Sequence, residues 1–161
     1  MTILKSLIKA TLAVSFMTLF AAAGYAEQGS TDLWSIDFQK AFMTEKMMHM
    51  MDLSHKGMVS KADYDKYMDK LFDRMDKGHK GMLDKDDFTR KEDGSTDIYT
   101  ADFQKHFHTI AMMHMMDKGK GMVSKADFME HMDKIFDMLD KNHDGMLEKK
   151  EFMYESAFGV K

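Results

Sequence analysis

Residues 64–75 carry the plainest hydrophobic pattern in the chain. Tyr64, Tyr67, Met68, Leu71, Phe72 and Met75 fall at i, i+3, i+4, i+7, i+8 and i+11, with polar residues between them. That spacing lays six side chains along one stripe of an α-helix, and no glycine or proline interrupts it. The stripe returns as Phe128, His131, Met132, Ile135, Phe136 and Leu139. Polar, glycine-bearing stretches flank each stripe, so each predicted helix leaves one loop and enters the next. At ~1.5 Å per residue, such a helix holds its two loops roughly 18 Å apart. Loops on one helix are then too distant to pair, and pairing is expected between the two halves of the chain.

Those halves are a tandem duplication. STDLWSIDFQK (30–40) returns as STDIYTADFQK (95–105), and MMHMMD (47–52) returns at 112–117. GMVSKAD (57–63) returns at 121–127, and MDKGHKGMLDKDDF (75–88) as LDKNHDGMLEKKEF (139–152). The offset is 65 residues early in the repeat and 64 later, so one residue is missing from the third loop. Residues 90–95, RKEDGS, read as the linker between halves 27–93 and 94–161.

Each half holds two loops with a shared punctuation. Glycine stands at Gly57, Gly81, Gly121 and Gly145, and an apolar residue two further on at Val59, Leu83, Val123 and Leu147. An aromatic closes each loop, at Tyr64, Phe88, Phe128 and Phe152. The last loop, 140–151 (DKNHDGMLEKKE), has an oxygen donor at every demanding position: Asp140, Asn142 and Asp144 at 1, 3 and 5, the Met146 carbonyl at 7, Glu148 at 9 and Glu151 at 12. This loop closely resembles the calcium loop of the EF-hand superfamily, and the repeated punctuation extends the resemblance over most of the chain. The resemblance implies an all-α fold of about six helices, with short β contacts between loops. It also implies calcium as the bound ion.

The other three loops depart from that pattern. Loop 52–63 keeps Asp52, Ser54 and Asp63 but has Lys56 at position 5. Loop 76–87 keeps Asp76, Asp84 and Asp87 but has Gly78 at position 3 and Lys80 at 5. Counted back from Gly121, the third loop is 116–127, with Met116, Lys118 and Lys120 at positions 1, 3 and 5. An ammonium inside a cation cage repels the ion it displaces. One competent loop in four is the expectation. Lys141, Lys149 and Lys150 crowd that loop, which points to moderate affinity, nearer ~10⁻⁵–10⁻³ M than a tight buffer.

Composition narrows the setting. Lys5 and Lys9, the apolar run 11–23 and the small residues before Glu27 read as a secretory leader over 1–26, too short to span a bilayer comfortably. Its removal leaves 135 residues, with 21 basic and 27 acidic side chains. That mild acidity suits a cation binder and argues against nucleic acid. The chain contains no cysteine, which excludes thiol catalysis and a disulfide framework. A periplasmic or secreted protein without enzymatic activity is the expectation.

Twenty-one methionines are the remaining peculiarity. On a helix, Met112, Met113, Met115 and Met116 share an arc of about 160°, with His114 opposite. Met47, Met48, Met50, Met51 and His49 repeat the arrangement. One reading is an adaptable apolar face, serving the core or a protein or peptide partner. Another is a soft-metal site for Cu(I) or Ag(I), in which Met47/Met51, Met112/Met116 or Met112/Met115 share an ion. His55, His79 and His143, all at loop position 4, together with His106 and His108, are further candidate ligands for that alternative.

Overall fold

The computed structural model describes residues 36–89 and 94–154. The expected leader and residues 90–93 of the expected linker lie outside them. The fold is all-α with two-residue β contacts, as expected. In the first half, α1 (Ile36–Phe42), α2 (Glu45–Met51), β1 (Val59–Ser60), α3 (Lys61–Met75), β2 (Met82–Leu83) and α4 (Lys85–Thr89) follow one another. The second half repeats the order as α5 (Ala101–Phe107), α6 (Ile110–Met116), β3 (Val123–Ser124), α7 (Lys125–Leu139), β4 (Met146–Leu147) and α8 (Lys149–Phe152). Among the described residues there are eight helices where about six were expected. Threonine makes the difference. The Thr44 and Thr109 side chains accept from the amides of Met47 and Met112, at 3.2 and 3.1 Å, and so start α2 and α6 as separate helices.

The two long helices form the axis of the molecule. The Ser60 and Ser124 hydroxyls cap α3 and α7, each accepting from the amide three residues on at 3.1 Å. β1 pairs antiparallel with β4, and β2 with β3. The loops therefore pair between halves, first with fourth and second with third, as the helix spacing predicted. Because β1 precedes α3 and β4 follows α7, the two helices run antiparallel with one loop pair at each end.

Equivalent contacts recur along this seam. Tyr64 packs edge-on to Phe136 at 5.1 Å, and Phe72 to Phe128 at 5.4 Å. Lys61 lies over the Phe136 ring and bonds Asp133 at 2.7 Å, while Lys125 lies over Phe72 and bonds Asp69 at 2.5 Å. The Tyr64 hydroxyl donates to the Met132 carbonyl at 2.9 Å, so this buried group is satisfied. Every apolar residue of the α3 stripe is buried, as are all of the α7 stripe except half-buried His131. Each such large side chain contributes about 1.5–3 kcal/mol relative to an exposed one.

The short helices complete a single core. α1 and α5 pack against each other through Phe38, Phe42, Phe103 and Phe107. Phe42 continues to Phe152 after the fourth loop, and Phe107 to Phe88 and Phe128 after the second and third. The aromatic that closes a loop is thus the residue that ties that loop to the core. Among the described residues, no helix is long and apolar enough to cross a membrane.

Candidate metal centre

All four loops begin in the same way. An aspartate ends the preceding helix, its amide bonded to the carbonyl four residues back: Asp52 to Met48, Asp76 to Phe72, Asp117 to Met113 and Asp140 to Phe136. Its carboxylate then accepts from amides inside the loop. Asp140 takes those of Asp144 at 3.2 Å and Gly145 at 2.9 Å. Asp76 takes Lys80 at 3.0 Å and Gly81 at 2.7 Å, and Asp52 takes Lys56 at 2.9 Å and Gly57 at 2.7 Å. These four carboxylates are buried. Left-handed backbone makes the turn possible, at Gly145 (φ 77°) and also at His143 (φ 56°). A histidine tolerates this region at some cost, while glycine enters it freely.

The third loop requires a correction. It was expected to begin at Met116, but Met116 ends α6 and is buried in the core. Asp117 takes the first-position role, accepting from Gly119 at 2.8 Å and Gly121 at 3.2 Å. The missing residue therefore falls after Asp117, and the loop is 117–127. Matching acid to acid, 52 to 117, finds this start; counting back from the glycine does not. Its carboxyl is held below the usual range by the Gly119 amide and then by His114, whose Nδ1 lies at 3.1 Å.

What fills the loops differs sharply. In the second, the Lys80 ammonium bonds Asp84 and, at 3.0 Å, the buried Asp87. Those bonds, the one to Asp84 foremost, raise its pKa above the usual lysine value. In the third, Lys118 bonds Asp127 and Glu130, both at 2.7 Å, and Lys120 approaches Asp127 at 3.3 Å. Lys118 and then the Ser124 hydroxyl hold the Asp127 carboxyl well below its ordinary range. In the first, the Ser54 hydroxyl donates to Asp63 at 2.7 Å. Lys56 makes no ion pair among the described residues.

The fourth loop gathers oxygens. Asp144 accepts from the Met146 amide at 2.9 Å, and Asn142 accepts from the Asp144 amide at 3.0 Å while donating to its carboxylate at 3.0 Å. Glu148 and Glu151 form a reciprocal capping box at the start of α8, with Glu151 accepting from the Glu148 amide at 3.2 Å. Glu151 is buried. Of the crowding lysines, Lys149 directs its charge away, to Glu45 on α2 at 2.8 Å, whereas Lys150 bonds the loop's own Glu148 at 2.7 Å. The Gly145 carbonyl accepts from the Lys61 amide at 2.9 Å, joining this loop to the first.

The donors of this loop fit a hard cation in kind, since they are carboxylates, an amide oxygen and a carbonyl, with no sulfur. Their carboxylates are engaged mostly with backbone amides, and Asn142 also donates to Asp144. Among the described residues, no three His, Asp or Glu side chains converge into a ready metal cluster. The soft-metal candidates sit otherwise. Met47, Met51, Met112 and Met116 are buried in the core, and Met115 packs against it. His49, His55, His79 and His143 are exposed, and the His108 ring stacks edge-on to Tyr99 at 5.6 Å.

Two loop pairs, each clamped by a two-residue ladder between helices, define a paired helix–loop–helix fold. The EF-hand family model matches residues 132–153, spanning the end of α7, the loop 140–151 and α8, so this stretch of the chain is similar to an EF hand. No curated protein and no solved structure matches the chain.

Proposed function

We propose that the chain is an exported calcium-binding protein that takes one ion in the loop 140–151. The observation that carries this reading is internal: four loops begin on a buried aspartate, and this one alone keeps oxygen donors at positions 1, 3, 5, 9 and 12 together. Asp140, Asn142, Asp144, Glu148 and Glu151 would supply side-chain oxygens and Met146 its carbonyl. Glu148 and Glu151 must exchange their capping-box bonds for the ion, and Lys150 competes for Glu148. Both effects favour moderate affinity. Calorimetric titration of Glu151→Gln is expected to show most calcium binding lost; affinity equal to the parent chain would overturn the assignment.

Export rests on the leader-like segment 1–26 and places the protein in the periplasm or outside the cell, without enzymatic activity. A recovered protein beginning at Glu27 supports this, and one that retains Met1 in the cytosol sinks it. Sensor and buffer differ in one readout. A sensor exposes the buried face of Met47, Met51, Met112 and Met116 on loading and so gains affinity for an apolar dye, whereas a buffer does not. The soft-metal alternative gains no support from these positions, because their thioethers pack in the core.

A further inference from the structure

We propose that Lys80 and Lys118 are tethered cations, whose ammonium groups take in loops two and three the charge role that an ion takes in loop four. They thereby hold the β2–β3 end of the molecule closed without metal. Each loop contributes one: Lys80 grips Asp84 and Asp87, and Lys118 grips Asp127. Asp87 and Asp127 are the acidic residues that stand where Glu151 stands in the fourth loop, and both are buried. A buried carboxylate without a counter-charge is costly, so the lysines stabilise the closed loops.

Gly78 shows that the space was made for a side chain. Its backbone is not left-handed, so the turn does not demand glycine there. A Cβ at that position would stand 3.2 Å from Cγ and 3.3 Å from Cδ and Cε of Lys80. The lysine stem thus lies where the position-3 ligand of an ion-binding loop begins. Losing the ligand and admitting the ammonium are one change.

At the other end, among the described residues, no lysine forms an ion pair with the acid that closes its loop, and Lys150 reaches only Glu148. Lys56 occupies the same position in loop one as Lys80 in loop two, yet makes no ion pair among the described residues. Loop one is the partner of the intact loop. α3 and α7 each therefore join a closed end to an end left open to an ion. This last step rests on calcium binding at 140–151; the tether itself does not.

The test is amide exchange of the full chain, followed by NMR in chelator, for Lys80→Met. The β2–β3 ladder is expected to exchange roughly tenfold faster while the β1–β4 ladder keeps its rate. Unchanged protection at β2–β3 overturns the proposal. So does equal acceleration at both ladders, which makes Lys80 a general stabiliser. Should that variant fail to fold, Asp87→Asn poses the question from the acceptor side with the same outcomes. Adding calcium to the parent chain separates the two readings. If neither ladder responds, calcium binding fails, and the tether still stands or falls on Lys80→Met.

Discussion

The two ends of this molecule are made from the same parts and do different things. At each end an aspartate closes a helix, glycine turns the chain left-handed, and two residues pair across the halves. At the β2–β3 end the charge that completes the loops is carried by lysine side chains. At the β1–β4 end one loop presents oxygen donors and its partner is bridged by the Ser54 hydroxyl. The loop backbone is thus separable from the charge that completes it. Hydrogen bonds and the aromatic behind each loop hold the turn, and a few side chains decide what neutralises it.

The seam between α3 and α7 belongs to neither end, and breaking it should abolish the distinction. Phe72→Ala removes a buried ring that meets Phe128 and lies beneath Lys125. A loss of about 3–5 kcal/mol is expected, as for large-to-small changes in packed cores. Denaturant unfolding should show it, with the β1–β4 and β2–β3 ladders losing exchange protection together. Loss at one ladder alone would mean that the ends are independent domains and not two faces of one core.

Acid should tell the ends apart more gently. Lys118 holds the carboxyls of Asp127 and Glu130 below their ordinary values, Glu130 at about 2. A carboxylate whose folded pKa is depressed contributes stability above its unfolded value, near pH ~4, and the contribution is lost as pH falls through the folded value. The β2–β3 ladder should therefore weaken between about pH 5 and 2, and Lys118→Met should flatten that part of the profile. The check is exchange at this ladder, corrected for the intrinsic pH dependence of the rate. A parent profile already flat over that range would sink the idea.

Much of this was legible in the sequence, for identifiable reasons. The α3 and α7 stripes gave helices of the right faces because six apolar residues at helical spacing admit one burial. The same spacing implied pairing between halves, since a rigid helix cannot bring its own ends together. The methionines were readable as core, and Met47, Met51, Met112 and Met116 are buried. Less was visible where a side chain acts locally. Thr44 and Thr109 split the leading helices by capping, an effect of one hydroxyl that apolar periodicity does not register. Asp117 was displaced by counting from a glycine across a deletion. The lysines read as repelling an ion, but their grip on Asp87 and Asp127 depends on where two loops bring their last residues.

The smallest effect is the most specific to the contrast between the ends. Gly78→Ala places a Cβ against the Lys80 stem at distances tighter than ordinary contact. The backbone there suits alanine, so restricting the unfolded chain should stabilise by about 0.4–1 kcal/mol if nothing obstructs the methyl group. In the parent chain the displaced lysine offsets that gain. In a Lys80→Ala background the obstruction is gone and the full gain should appear. Thermal unfolding of the four proteins in this cycle measures the coupling directly. Equal shifts from Gly78→Ala in both backgrounds would mean that the lysine does not use the space the glycine leaves. A gain only in the Lys80→Ala background ties the missing ligand to the tethered ammonium.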